Sequence, residues 1–428
     1  MEPRFSLAFA KAADGECAAC FRSLSLSEAP ETDPAELWRF VPLGDYARPE
    51  RPTASATAHA WSSLKSTFRM SDGDENAPTE REKSLRALAE VRLEHLVRPF
   101  DWTEVSTGLD TALTERAAPA RTSSASFVIG QPHCGHAGIV EAWASRHGAQ
   151  VIDPPSHEEI LAGDPGWRPS WPEAGQLWAI PRLEHCFLRH ANGLVLVRRL
   201  LEDVACGRAG RGLIGCDSWA WAFLRHVWPI PQPEALTLEA FDGTRLARLF
   251  SLLAAPEGGR QLSFRHARTG RETLAVPAAD NHTSDELIRL AAHCRGNPGT
   301  ARSYWRARLR AEPETEARSE DSETSRPDGT DDSATVVVWV SADLPEPSLK
   351  LDEDTILFLH ALLLHNGLTV EALNEVLPMP LFRSNAIAER LRSLDLLERR
   401  QGRWIVSALG YTLTREWLRT RDFLIDDF

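Results

Sequence analysis

The 428-residue chain has no apolar run approaching the about 18 residues that cross a bilayer, and its longest candidates carry Arg or His. Its first residues, MEPRFSLAFAKAADGE, lack an apolar signal core and meet acidic side chains early, so a cytoplasmic location is expected. Cysteine is scarce. Seven residues, an odd number scattered over the chain, argue against a disulfide framework and agree with a reducing compartment. Cys17 and Cys20 form a CxxC pair, but no second pair exists and zinc needs about four such ligands, so they read as free thiols. Positive charge is also short. A net charge of −13 works against non-specific attachment of the whole chain to nucleic acid.

What remains is the composition of a folded protein, with 43% hydrophobic and 25% charged residues, long enough for two to four domains. Residues 1–95 form an accessory region, partly disordered by composition, since 50–82 is rich in Pro, Ala, Ser, Thr and charge. Within it EREKSLRALAEVRLEHL reads as a helix, with Leu85, Leu88 and Val91–Leu93 as its apolar stripe. Residues 312–332 hold nine acids against Arg318 and Arg326, a net −7, so 312–334 is expected to be a disordered acidic linker.

Between those segments, 96–282 alternates strands and helices. ASFVIG, AQVIDPP, QLWAIPRLE and RGLIGCDS read as strands, and HAGIVEAWASRHG, GLVLVRRLLEDVA and WAWAFLRHV as helices. This alternation predicts an α/β layer with a mainly parallel sheet. A helix around Gly243–Leu253 and a hairpin turning at Thr269–Gly270 follow. Residues 283–311 read as a small helical lid. Thr283 and Glu286 have capping-box spacing there, and Asn297 caps a second helix with Pro298 at its first position. Residues 335–428 open with the strand TVVVWVS. Three amphipathic helices, a hairpin turning at Gln401–Gly402 and a last helix then follow in winged-helix order.

Where the first strand meets its helix stands GQPHCGHA, from Gly130 to Ala137. Its glycines have the spacing of G-x-x-x-x-G-K-[ST], the phosphate-cradling P-loop. His136 replaces the lysine and Ala137 the Ser/Thr that would offer an oxygen to magnesium. With a free-solution pKa near ~6.5, His136 is expected to be mostly neutral at pH 7. The bland alternative is an ordinary strand-to-helix turn whose glycines serve geometry alone. His133, Cys134 and His136 supply only three neighbouring metal-ligand candidates, so no metal site is expected.

With these residues in view, 125–310 and the winged helix resemble AAA+ and the related STAND ATPases. The resemblance implies a P-loop NTPase-like sheet with a helical lid, and a nucleotide site built from Gly130, Gln131, Pro132, His133, Cys134, Gly135, His136 and Ala137. It places the acidic strand at LWAIPRLE, where Pro181 and Arg182 stand in the acid positions and Glu184 lies two residues on. It places a polar sensor at Asp217 or Ser218, and a γ-phosphate arginine at Arg302, with Arg306 as second choice. It implies ATP or ADP as ligand, with magnesium poorly provided for.

The stretch 383–421 holds nine arginines against four acids, a net +5. On the third helix Asn385, Arg390 and Arg392, and on the wing Arg399, Arg400 and Arg403, are candidates to contact DNA or a partner protein. Docking onto protein, including the acidic linker of the same chain, is the alternative to reading DNA. The expectation is therefore an ATPase-like regulator or scaffold whose eroded nucleotide site sets a conformation read out through a winged helix. A DNA-binding transcriptional regulator is one alternative. An unusual ATPase working through Glu184 and Asp217 is the other. A protein partner is expected, and self-association is open.

Overall fold

A computed structural model describes residues 34–50, 80–116, 125–163, 175–228, 235–254, 261–274, 283–312, 335–341 and 351–428. Cys17, Cys20 and nearly all of the acidic stretch 312–334 lie outside the described residues.

The fold is mixed α/β. A six-stranded sheet runs in the order β1 (Phe40–Pro42), β7 (Ala235–Leu238), β3 (Ala125–Gly130), β6 (Gly212–Asp217), β5 (Trp178–Ile180), β4 (Gln150–Val151). The four pairings from β7 to β4 are parallel, and β1 adds an antiparallel edge against β7. β3 and β6 register from Ala125↔Gly212 to Gly130↔Asp217, which aligns their carboxyl ends. Parallel strands need crossovers, and these are helices on both faces. Val128 faces a core shared with α4 (Trp102–Glu115) and α5 (His136–His147). Phe127 and Ile129 face the opposite core with α7 (Val195–Ala205) and α8 (Ser218–Val227). The expected second strand shrinks to Gln150–Val151, because Pro154 and Pro155 follow two residues after Ile152 N makes its last bond, to Ala179 O, and neither can donate to a ladder.

The single helix expected over Glu80–Leu96 is two, α2 (Glu80–Ser84) and α3 (Glu90–Leu96), separated by β2 (Arg86–Ala87). β2 pairs with β9 (Leu309–Ala311), so sheet pairing overrides helix propensity there. Val91, assigned to the apolar stripe, is 69% exposed.

α9 (Gly243–Leu253), α10 (Asp285–His293) and α11 (Pro298–Arg308) pack beside the sheet. The side chain that caps α10 is Ser284, not Thr283. Ser284 accepts from Glu286 N, whereas Thr283 bonds the Thr244 hydroxyl at 2.7 Å. α11 begins as the sequence indicates, with Asn297 Oδ1 accepting from the amides of Gly299 and Thr300.

β8 (Leu262–His266) makes one antiparallel bridge, Arg265↔Glu272, across the turn at 267–270, but its main partner is β10 (Val336–Val340), in parallel. β10 also pairs antiparallel with β9. The strand expected to open the 335–428 segment thus belongs to a sheet made with 262–266 and 309–311.

The C-terminal elements are α12 (Glu353–Leu364), α13 (Val370–Val376), α14 (Leu381–Arg392), β11 (Leu397–Arg400), β12 (Arg403–Val406) and α15 (Ala408–Arg419). β11 and β12 turn through Gln401 and Gly402, both at positive φ, as a two-residue hairpin requires. Their core is continuous with the α/β layer, since it includes Ile160, Leu188, Leu196 and Trp219. No helix of the described residues is long and apolar enough to cross a membrane.

Candidate functional site

The carboxyl end of β3 turns into α5 through Gln131–Gly135, with Cys134 N donating to Gln131 O at 3.1 Å. Two glycines are geometrically required. A Cβ at Gly130 would lie 2.2 Å from Cys134 Sγ, and one at Gly135, already at φ 85°, would strike the Trp102 ring. His133 also takes a left-handed conformation, φ 68°, which is uncommon for a side-chain-bearing residue. Asn297 Nδ2 donates to Pro132 O at 2.7 Å, while a Cβ at Gly299 would meet His133 O. The amino end of α11 is thereby held against the turn.

A sealed charge cluster lies beneath. His136 Nε2 donates to Glu184 Oε1 at 2.9 Å, with 4% and 0% of the two side chains exposed. Burial alone would push His136 down, but the Glu184 carboxylate and Cys134 together more than offset it and hold the imidazole well above its usual range. Burial likewise works to raise Glu184, and the His136 cation pulls it to about 2. They form an ion pair. The expectation of a mostly neutral His136 is corrected, because free-solution pKa values ignore a carboxylate placed 48 residues away in sequence. Glu184 Oε2 accepts from Asp217 N at 3.1 Å, and Asn366 Nδ2 donates to Oε1 at 3.4 Å. Burial raises Asp217 well above the carboxylate range against the pull of the His136 cation, and Glu184 adds to the shift. Its Oδ1 caps α8 at Trp219 N. Ala137 offers no oxygen, and the Pro181 carbonyl packs on Gly215 of β6.

The C-terminal elements roof this end of the sheet. His133 Nε2 donates to Val406 O of β12 at 2.9 Å. Burial, with Arg400 nearby, lowers its pKa to about 4, so the donor is a neutral imidazole. Trp219 Nε1 donates to Tyr411 OH at 3.2 Å. Asp426, fully enclosed, accepts from Ser218 Oγ at 2.6 Å, Tyr411 OH at 3.3 Å and Arg415 Nε at 2.9 Å. Gln131 Nε2 donates to Tyr46 OH at 2.8 Å, and Tyr46 OH donates to Arg295 O at 2.6 Å.

Gly130 to Ala137, Glu184 and Asp217 are thus brought together. Arg302 is not among them. Its guanidinium donates to Val97 O and Arg98 O at 2.8 and 2.9 Å and lies over the Phe100 ring. Arg306 pairs with Glu90. The residues that α11 and its cap present to the turn are Asn297 and Gly299, the first legible only as a helix cap. On the C-terminal elements, Asn385, Arg390, Arg392, Arg399 and Arg400 are exposed. Arg392 is paired with Glu389, Arg400 with Glu398, and Arg383 with Asp354. Arg403 turns inward to Gly367 O at 3.2 Å. Tyr46, Asn366 and Asp426 carried no recognisable signal in sequence.

No protein-family profile matches the chain, and no curated protein resembles it at a significant level.

Proposed function

We propose that the protein is a non-hydrolysing, P-loop-like switch. Its turn at Gly130–Ala137 takes the phosphates of ATP or ADP, and its C-terminal segment, a winged helix, reads whether the turn is filled. One observation carries this reading. The turn and its cluster are hydrogen-bonded to the C-terminal elements through His133–Val406 and Glu184–Asn366, so a ligand in the turn has to alter how that segment sits.

The topology supports the resemblance to AAA+ and STAND ATPases. Counted from the strand entering the turn, the parallel strands lie in the order 5-1-4-3-2, which sets that strand inside the sheet with a later strand on each side. The turn stands at the carboxyl ends of neighbouring strands, where ligands of open α/β sheets bind. Amide groups at the first turn of α5 can hold an oxyanion without a lysine.

The same chemistry argues against the unusual-ATPase alternative. Glu184 is occupied by His136 and the Asp217 amide, and the fully buried Asp217 carboxyl caps α8 through Oδ1, so neither is free to hold magnesium or activate water. The arginine pairings weigh against the DNA reading, because a guanidinium already neutralised by a carboxylate of its own helix or strand releases fewer counterions from DNA. A protein partner suits the exposed Phe382, 76% accessible at the start of α14, better than a base edge does.

Thermal stability of the purified chain with ATP, ADP or buffer, with and without magnesium, tests this. Ligand that binds only the native state adds RT ln(1 + [L]/Kd), so even a weak site registers at millimolar nucleotide. A shift largely independent of magnesium is expected. No shift by any nucleotide at several millimolar would leave GQPHCGHA as a structural turn.

A further inference from the structure

The turn encloses a thiol that phosphate binding does not use. A Cβ placed on Gly130 would lie 2.2 Å from Cys134 Sγ and 3.3 Å from His136 Cγ, so sulfur and imidazole stand side by side against Gly130. The imidazole reaches Glu184 Oε1 through Nε2 at 2.9 Å. Its other edge borders the Cys134 thiol, which joins Glu184 in raising the His136 pKa against burial. Thiol, imidazole and carboxylate therefore follow one another in the order that moves protons to and from a nucleophile. Burial, then the same thiol, raises the Tyr46 hydroxyl, whose oxygen accepts from Gln131 Nε2 at 2.8 Å. Burial also pushes Cys186, Cys216 and Cys294 well up, which keeps those thiols unreactive.

Two oxygens nearby lack a partner. Gln131 Oε1 and Asp217 Oδ2 belong to residues at most 4% exposed, and neither is hydrogen-bonded among the described residues. Gln131 follows Gly130 in the chain, and Asp217 lies beside Gly130 in the β3–β6 register. The open oxygens thus flank the residue that the sulfur packs on. Enclosed oxygens without partners call for a small guest that brings hydrogen-bond donors. Cys134 is itself 6% exposed, which limits that guest to a few atoms.

We propose that Cys134 is a peroxide-reactive thiol, with Gln131 and Asp217 seating hydrogen peroxide and His136 moving the proton. Hydrogen peroxide brings two O–H donors to the two open oxygens. The sulfur attacks one peroxide oxygen, so that an S–O bond forms and the O–O bond breaks. Sulfur loses two electrons and becomes the sulfenic acid, while the peroxide is reduced. The leaving hydroxide takes the Nδ1 proton of His136 and departs as water, and the thiol proton restores the imidazole. The neighbouring His133 bonds Val406 O, so an oxygen added at Cys134 bears on the contact with β12. The site stands whether or not the turn takes a nucleotide.

The full chain is treated with hydrogen peroxide at pH 7, folded and in urea. Catalase stops the reaction, and the chain is then unfolded with dimedone so that every sulfenic acid is trapped alike. Peptide mass spectrometry gives the rate at each cysteine, with the exposed Cys206 as internal standard. Relative to Cys206, Cys134 is expected to react at least about tenfold faster in the fold than in urea. A thiol that is merely buried slows on folding, so an equal or slower rate in the fold overturns the proposal. His136→Gln with Glu184→Gln removes the imidazole without leaving an unpaired charge. It is expected to lower the rate in the fold by at least about tenfold. An undiminished rate in that variant overturns the proton transfer. Should the variant fold poorly, the comparison of folded and urea-treated unmodified chain still decides whether the site exists.

Discussion

His136 Nε2 sits 2.9 Å from Glu184 Oε1, at the position that the proposed P-loop reading aligns with a lysine. The cation the turn would offer a phosphate is thus already neutralised, from below and out of water. A buried pair of this kind gives little net stability, since desolvation cancels most of the attraction, yet breaking it leaves an uncompensated charge. It does bind the amino end of α5 to the segment after β5. The turn is therefore stiffened by the contact that weakens its use as a catalyst.

Glu184→Gln is expected to destabilise the chain by about 3 kcal/mol, because His136 must then shed its proton or remain a lone buried cation. His136→Gln with Glu184→Gln should recover part of that loss. Urea denaturation of the three proteins at pH 7 measures it. If both single and double variants match the wild type, no ion pair exists there.

Acid should unfold the protein early. Burial lowers His360 to about 4 and His365 to about 3, and the less enclosed His133 and His185 to about 4 and about 3. Each is neutral in the fold but takes a proton near ~6.5 when unfolded, so the stability it contributes is present above that pH and is lost as pH falls towards 4. Asp217 opposes one of them, because its raised pKa favours the fold at low pH. Glu184 adds a further loss as pH falls from the usual carboxylate range towards 2. From pH 6 to pH 5 the stability is expected to drop by at least about 1.4 kcal/mol. Urea midpoints at pH 7.5, 6 and 5 test this, and a flat or rising profile contradicts it.

His136→Lys with Ala137→Thr supplies a long cation and one magnesium oxygen to the turn. Tighter magnesium-ATP binding is expected, with hydrolysis near background, because Glu184 and the fully buried Asp217 still fail to position metal and water. Adding Pro181→Asp tests the register of β5. Phosphate release and ATP affinity for each protein decide the matter, and robust turnover by the unmodified chain would falsify the non-hydrolytic reading.

Cutting the chain at a protease site engineered into 313–334 should not separate its halves. β10 is paired with β8 and β9, and Trp219, Leu188 and Leu196 share a core with α12 to α15. The two fragments are expected to co-elute in size-exclusion chromatography. Separate elution in native buffer would mean the shared core contributes little.

Much of the layer was legible along the chain. Short apolar runs mark β3 and β6, which are buried on both faces, and period-3.6 patterning marks α5, α7 and α8, which each bury one stripe of side chains wherever they end up. Asn297–Pro298 marks the start of α11 and Gln401–Gly402 the last hairpin, since caps and tight turns are settled by a few adjacent residues. Gly130 and Gly135 were legible as special, and their contacts show why a side chain is excluded at each.

The sequence by itself determined those local choices, which depend on neighbours a few bonds away. Only the tertiary structure decided the site. The raised pKa of His136 depends on Glu184, that of Asp217 on its burial, and the engagement of Arg302 on two carbonyls at 97–98. The division of 80–96 into two helices and the placement of 336–340 depend on strand partners more than two hundred and about seventy residues away, respectively. Electrostatic and sheet-pairing energies act through space, over contacts that the order of residues does not display. Asp426 makes the point most sharply: it reads as one more exposed acid, and folding encloses it among a serine, a tyrosine and an arginine.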